Sequence, residues 1–205
     1  STLSSSSAAS DVYKRQGNLN IARNHNSNLA INGKDSGQNG VFYNIDNAVA
    51  AAQSAFPVWR SVNLEKRGEI IEAIRELARQ KAKELAEMAR GETGFGRADS
   101  KAQKNLLVAD KTPGIELLES KVYTGDHGLT LVERAPYGVI ASITPSTNPT
   151  STIINNTISM ISGGNTVVFN VHPRAKKVSV YTIQLINQAI QDSGGPANVI
   201  TSIFE

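Results

Sequence analysis

The sequence predicts an α/β protein in which N-terminal helices and a β-hairpin arm precede a parallel, Rossmann-like β-α-β-α-β half-sheet. Three observations carry that reading. From Tyr137 onward, apolar β-branched runs alternate with helical segments across short loops, the signature of parallel strands joined by crossover helices. Before them, residues 64 to 90 carry apolar side chains at helical spacing, which marks an amphipathic helix. Between the two regions, KVYT and LTLVER flank Gly125-Asp126-His127-Gly128, the pattern of a hairpin with a glycine-bounded turn.

Each element follows in order. Gly17 to Gly40 is rich in Asn, Gly and Ser and reads as a polar linker. A first helix is expected from Asp46 to about Ala55, interrupted by Pro57. A second starts after Asn63, a good N-cap, and runs towards Arg90. Ile70, Ile71, Ile74, Leu77, Ala78, Leu85 and Ala89 share its apolar face, with Glu, Lys and Arg covering the other. Gly91 is the expected C-cap, ETGFG (Glu92 to Gly96) a turn, and Asp99 to about Asp110 a third helix. The hairpin spans 121 to 134, with His127 a solvent-exposed turn residue.

YGVIASI, from Tyr137, suits a strand buried on both faces. STIINNTISMIS then reads as a helix closed by Gly163-Gly164, NTVVFNV as a strand, Ala175 to Asp192 as a long helix, and NVITSIF as a last strand.

The opening STLSSSSAASDVYKRQ is not a targeting segment. A secretory signal needs cations before an apolar core, and a transit peptide needs several arginines; this stretch has neither. Asp11 to Gln16 resembles the in-frame translation of GATGTGTATAAGAGACAG, the end sequence recognised by a transposase used to prepare sequencing libraries. Ser6 to Ser10 resembles the adaptor preceding it. The resemblance implies that residues 1 to 16 are a sequencing-adaptor artefact, disordered and outside the fold.

Composition narrows the function classes. A chain of 205 residues with 40% hydrophobic content supports a sizeable core. The net charge is +3, of which Lys14, Arg15 and Asp11 supply +1, leaving +2 for the rest. Basic residues are interleaved with glutamates along the helices instead of forming a stripe, so no nucleic-acid partner is expected. No run approaches the roughly 20 apolar residues of a membrane span, and a cytoplasmic protein is expected. The absence of cysteine excludes disulfides, cysteine metal sites and a cysteine nucleophile within this stretch; no metal site is expected.

Parallel sheets bind ligands beyond the carboxyl ends of their strands, and two loops lie there. The first runs through Thr144, Pro145, Ser146, Thr147, Asn148 and Pro149. Two prolines around STN hold Asn148 rigidly, which suits an amide donor for a developing oxyanion; a proline before a helix with Thr150 or Ser151 as N-cap would give a similar composition. The second, Asn170-Val171-His172-Pro173, places a histidine that is either a hydrogen-bonded loop residue or a functional one. No GxGxxG follows the first strand, so a conventional Rossmann dehydrogenase is disfavoured.

ETGFGR, K-x-x-K-N, TPG-x-E, TGD-x-GLTL, ER-AP-YGVIASITPSTNPTSTIINN, GGNTVVFNVHP-x-AKKVS and GGP-x-N together resemble the N-terminal portion of coenzyme A-acylating aldehyde dehydrogenases. The nearest likeness is to the acetaldehyde and propionaldehyde enzymes of ethanolamine and propanediol utilisation in bacterial microcompartments, and it covers about Val41 to the end. In the wider superfamily this loop holds a Pro-Trp-Asn-type motif whose Asn donates to the thiohemiacetal oxyanion. Here the Asn stands one place later, at Asn148, with Thr147 in the simple register. A superfamily lysine that holds the adenosine ribose is replaced by Asn170, followed by His172-Pro173 as in the acylating subgroup. The resemblance thus implies Asn148 and Thr147 as catalytic oxyanion-loop residues, and Ile143, Thr144, Pro145, Ser146, Asn170, His172 and Pro173 at the cofactor.

It further implies a truncated aldehyde dehydrogenase fold whose full-length enzyme oxidises a short-chain aldehyde with NAD and coenzyme A through a cysteine thioester, that cysteine lying beyond Glu205. The family is homo-oligomeric, with a subunit-bridging arm resembling 121 to 134. Its microcompartment members reach the shell through an N-terminal helix missing here, so the lumen is an alternative location. Two other readings remain: the aldehyde dehydrogenase half of a bifunctional aldehyde-alcohol dehydrogenase, and an inactive truncated module.

Overall fold

The computed structural model describes residues 37–204; the adaptor-like stretch and most of the polar linker lie outside the described residues. A two-residue strand β1 (Val41–Phe42) leads into helices α1 (Ile45–Ser61), α2 (Leu64–Thr93) and α3 (Ala98–Lys111). A 3-10 turn (Ile115–Leu118) and the hairpin β2 (Lys121–Gly125) and β3 (Gly128–Val132) follow. The chain then alternates: β4 (Val139–Ile143), α4 (Pro149–Ser162), β5 (Thr166–Asn170), a 3-10 turn (Pro173–Ala175), α5 (Lys176–Asp192) and β6 (Ile200–Ile203).

The sheet has the order β1-β6-β5-β4, with every pair parallel. Alternation along β5 builds two faces. Val168 packs with Phe42, Ala48, Ala51 and Ala52 beneath α1, where small side chains let helix and sheet approach closely. Thr166 and Thr201 seal that contact by donating to the Ala52 and Ala48 carbonyls at 2.9 and 3.1 Å. Val167 and Phe169 point the other way, into the main core with Ile153 and Ile158 of α4, Ile183 and Ile186 of α5, and Ile70 and Ile74 of α2. Trp59, fully buried at the end of α1, donates from Nε1 to the Ile161 carbonyl at 3.0 Å. The Arg67 guanidinium lies 5.5 Å over its ring and donates to the Ser162 and Val62 carbonyls, both at 3.0 Å.

Four local expectations are corrected. Pro57 lies inside α1, which continues to Ser61. A proline there frees the carbonyl four residues back, but Gln53 and Pro57 are both exposed, so water reaches that carbonyl, and burial of Trp59 holds the last turn. Gly91 is helical; the C-cap is Gly94 at φ 74°, the left-handed conformation glycine adopts without strain. β4 is not covered on both faces: it is one edge of the sheet among the described residues, with β1 at the other, and Ile143 is 80% exposed. Neither Thr150 nor Ser151 caps α4, because both are inside it and buried. The expected hairpin forms, with Gly125 opposite Gly128, and every residue of its two strands is exposed.

Candidate functional site

The carboxyl ends of β4 and β5 lie side by side, with Ile143 opposite Asn170 and the Thr144 amide donating to the Asn170 carbonyl at 3.1 Å. The two candidate loops therefore begin from one place. Ile143, Pro145 and Thr147 are exposed, Ser146 and Asn148 half-buried. Thr144 is buried, and its hydroxyl has no hydrogen-bond partner among the described residues. Asn170 is exposed at the strand end.

His172 caps the short 3-10 turn that starts at Pro173: its Nδ1 accepts from the Arg174 amide at 3.1 Å. The hydrogen-bonded loop role is thus what the geometry shows for this ring.

Asn148 stands at the N-cap position of α4, with φ −136° and ψ 57°, and makes no side-chain capping bond. Pro149 supplies the first helical residue, where its missing N–H costs nothing. The Asn148 amide turns instead towards α3. Its Oδ1 accepts from Lys104 Nζ at 3.0 Å, while its Nδ2 has one long contact, 3.4 Å to Thr147 Oγ1. Lys101 Nζ donates to the Thr147 carbonyl at 2.6 Å. Thr150, the second residue of α4, donates to Asn105 Oδ1 at 2.8 Å.

Lys101, Lys104 and Asn105 thus grip residues 147 to 150 from one face of α3. That face is itself anchored on α2: Asn105 donates to the Ala82 carbonyl at 3.1 Å, and Arg75 of α2 donates to the carbonyls of Ala109 and Thr112 at the far end of α3. Lys101 is 6% exposed. Burial above all, then the neighbouring Lys104 and Arg90 charges, hold its pKa below the ordinary lysine value.

The sequence alone gives these α3 residues no role, although the Lys101-x-x-Lys104-Asn105 spacing, i, i+3, i+4, places all three on one helical face. Two further features at this end also escaped it. Glu92, at the end of α2, accepts from the Lys177 and Val178 amides, both at 2.8 Å, and so caps α5, whose own N-cap residue Ala175 offers no side-chain bond. Tyr43 and Phe204 meet edge to face at 6.1 Å beyond β1 and β6, with Lys176 Nζ 5.9 Å from the Phe204 ring.

The arrangement combines a half-buried amide with its N–H groups scarcely engaged, the positive end of a helix, and two ammonium groups. Together these favour negative charge on an oxygen atom. Among the described residues no three His, Asp or Glu side chains group to hold a metal ion, and no helix is long and apolar enough to cross a membrane.

Residues 36–205 match the profile of the aldehyde dehydrogenase family. The chain is 53% identical over 164 residues to the acetaldehyde dehydrogenase (acetylating) EutE of Salmonella typhimurium, covering 80% of this chain and 35% of that protein. Among solved structures, a propionaldehyde dehydrogenase from the Clostridium phytofermentans fucose utilisation bacterial microcompartment is 49% identical, with a TM-score of 0.78 over 80% of this chain and 38% of its own. A Rhodopseudomonas palustris propionaldehyde dehydrogenase with bound propionyl-CoA is 41% identical, with a TM-score of 0.80 over 84% of this chain and 39% of its own. The chain spans little more than a third of the length of these proteins.

Proposed function

The chain belongs to the aldehyde dehydrogenase family, and from that premise we propose that it is the oxyanion-loop and cofactor-cleft portion of a coenzyme A-acylating aldehyde dehydrogenase. The substrate is a short-chain aldehyde, acetaldehyde or propionaldehyde, and the product its acyl-CoA. The observation that carries the reading is Asn148: an amide at the start of a helix, spared from capping it, with Oδ1 taken by Lys104 and Nδ2 left for a ligand.

The chemistry divides between this chain and the rest of the enzyme. A cysteine outside this sequence, which has none, attacks the aldehyde carbonyl, and the carbonyl oxygen takes the negative charge. Asn148 Nδ2 donates to that oxygen, aided by the first turn of α4, with Thr147 the neighbouring candidate donor. When bound, a nicotinamide cofactor, NAD, would supply the hydride acceptor, and coenzyme A the thiol that would take the acyl group from the cysteine in place of water. The residues present fit a nucleotide. The buried Thr144 hydroxyl lacks a partner among the described residues, Asn170 opens at a carboxyl strand end, and Ile143 offers exposed apolar surface beside it. With Pro145, Ser146, His172 and Pro173 they would line the nucleotide's place.

A homo-oligomer held partly through the exposed hairpin fits the same reading, as does a cytoplasmic or microcompartment-lumen location. Shell attachment would require a further N-terminal helix.

The test is Asn148→Ala in the full-length enzyme carrying this segment. Loss of one oxyanion donor costs about 10²- to 10³-fold in kcat, with KM for the nucleotide little changed because the bond matters in the transition state. Earlier melting with normal turnover refutes the reading, and loss of rate confined to Thr147→Val moves the donor one residue upstream. The sequence following Glu205 separates the three readings: a cysteine with no second enzyme supports this one, a second enzyme fused downstream supports an aldehyde-alcohol dehydrogenase, and a stop supports a truncated module.

A further inference from the structure

On the oxyanion reading of Asn148, we infer that Lys104 is the positioning residue that sets the orientation of that donor, with Lys101 fixing the backbone on which it sits. An amide side chain is close to two-fold in shape, so packing alone distinguishes poorly between Oδ1 and Nδ2 facing the cleft. An ammonium distinguishes completely, because it can only donate. Lys104 Nζ lies 3.0 Å from the Asn148 amide, so the atom it meets is the carbonyl oxygen, and the NH2 group turns to the opposite side.

The backbone is set by the same face of α3. Lys101, 6% exposed, reaches the Thr147 carbonyl at 2.6 Å, and Asn105 receives the Thr150 hydroxyl at 2.8 Å. Residues on either side of Asn148 are thereby tied to one rigid helix, itself fastened to α2 through Asn105 and Arg75. The Asn148 ψ of 57° lies outside the helical and extended wells, and these two ties hold the chain through it.

Orientation is one consequence and polarisation the other. A positive charge on Oδ1 draws electron density from the amide nitrogen and strengthens each Nδ2–H as a donor, as hydrogen bonds in series do.

Two measurements test the assignment. In the 205-residue chain, the Asn148 side-chain NH2 resonances shift and broaden in Lys104→Met and return towards wild type in Lys104→Arg; resonances unchanged in Lys104→Met overturn it. In the full-length enzyme, Lys104→Met lowers kcat about tenfold with KM within about twofold, Lys104→Arg recovers most of the loss, and Lys104→Met adds nothing once Asn148 is Ala. Full turnover in Lys104→Met beside a crippled Asn148→Ala overturns the positioning role alone. An additive loss in the double variant does the same. Full turnover in Asn148→Ala overturns the oxyanion reading itself, and the positioning role falls with it.

Discussion

Glu92→Ala removes a helix cap that the chain supplies from 85 residues away. The Glu92 carboxylate accepts from the Lys177 and Val178 amides at 2.8 Å each, at the positive end of α5. Lys177 is exposed, so water replaces the lost partner there; Val178 is buried, and its N–H is left without one. An orphaned buried donor costs about 1–3 kcal/mol, and loss of an anion from a helix N-terminus about 0.3–1 kcal/mol more. The expected loss is therefore about 1–4 kcal/mol for alanine, centred near 2.5, and roughly half of that for Gln, which keeps one neutral acceptor. For a chain of this size about 2.5 kcal/mol lowers Tm by roughly 5–10 °C. Urea denaturation of the chain, read by circular dichroism, measures it, and hydrogen exchange at the Val178 amide localises it. A loss under about 0.5 kcal/mol for alanine, or unchanged protection at Val178, refutes the cap.

Two further outcomes follow from the same geometry. Because Lys101 has its pKa lowered by burial, then by Lys104 and Arg90, the folded chain releases that proton at a lower pH than the unfolded chain does. Stability therefore rises with pH between the lowered value and the ordinary 10.5, and is lost again as pH falls through that window. Lys101→Met abolishes this slope, and parallel wild-type and variant profiles from neutral pH to about pH 10 would contradict it. The 205-residue chain supplied with aldehyde, nicotinamide nucleotide and coenzyme A reduces no nucleotide, since its sequence has no cysteine and no other residue here replaces a thiolate; coenzyme A-dependent reduction by this polypeptide alone would overturn the division of labour.

What could be read from the sequence was what depends on short range. The alternation after Tyr137 placed β4, α4, β5, α5 and β6, because apolar runs and glycines sit within a few residues of the structures they cause. The hairpin followed from its glycine-bounded turn. The two candidate loops came from topology, and Asn170 and Thr144 do lie together. The missed features are nonlocal. Lys101 and Lys104 read as part of a charged, solvated face, and only the fold brings them to residues 46 and 44 positions later. Glu92 lay in an apparent turn because Gly91 seemed to close α2, three residues before Gly94 does. β1 is two residues long, too short to show a period. The exposure of β4 depends on which strands flank it, and no strand's own sequence records that.

Trp59 is the sole tryptophan of the sequence, and this makes the protein its own spectroscopic probe. Its indole is fully buried, bonded to the Ile161 carbonyl at 3.0 Å and stacked under Arg67, so native emission arises at short wavelength from the seam between α1 and α4. Every photon excited selectively at the red edge of protein absorbance therefore reports on one junction, with no second fluorophore of its kind to deconvolute. A titration followed there and by backbone dichroism compares that seam with the whole chain: coincident curves mean that α1 leaves only when everything unfolds, and an earlier red shift means that α1 detaches first.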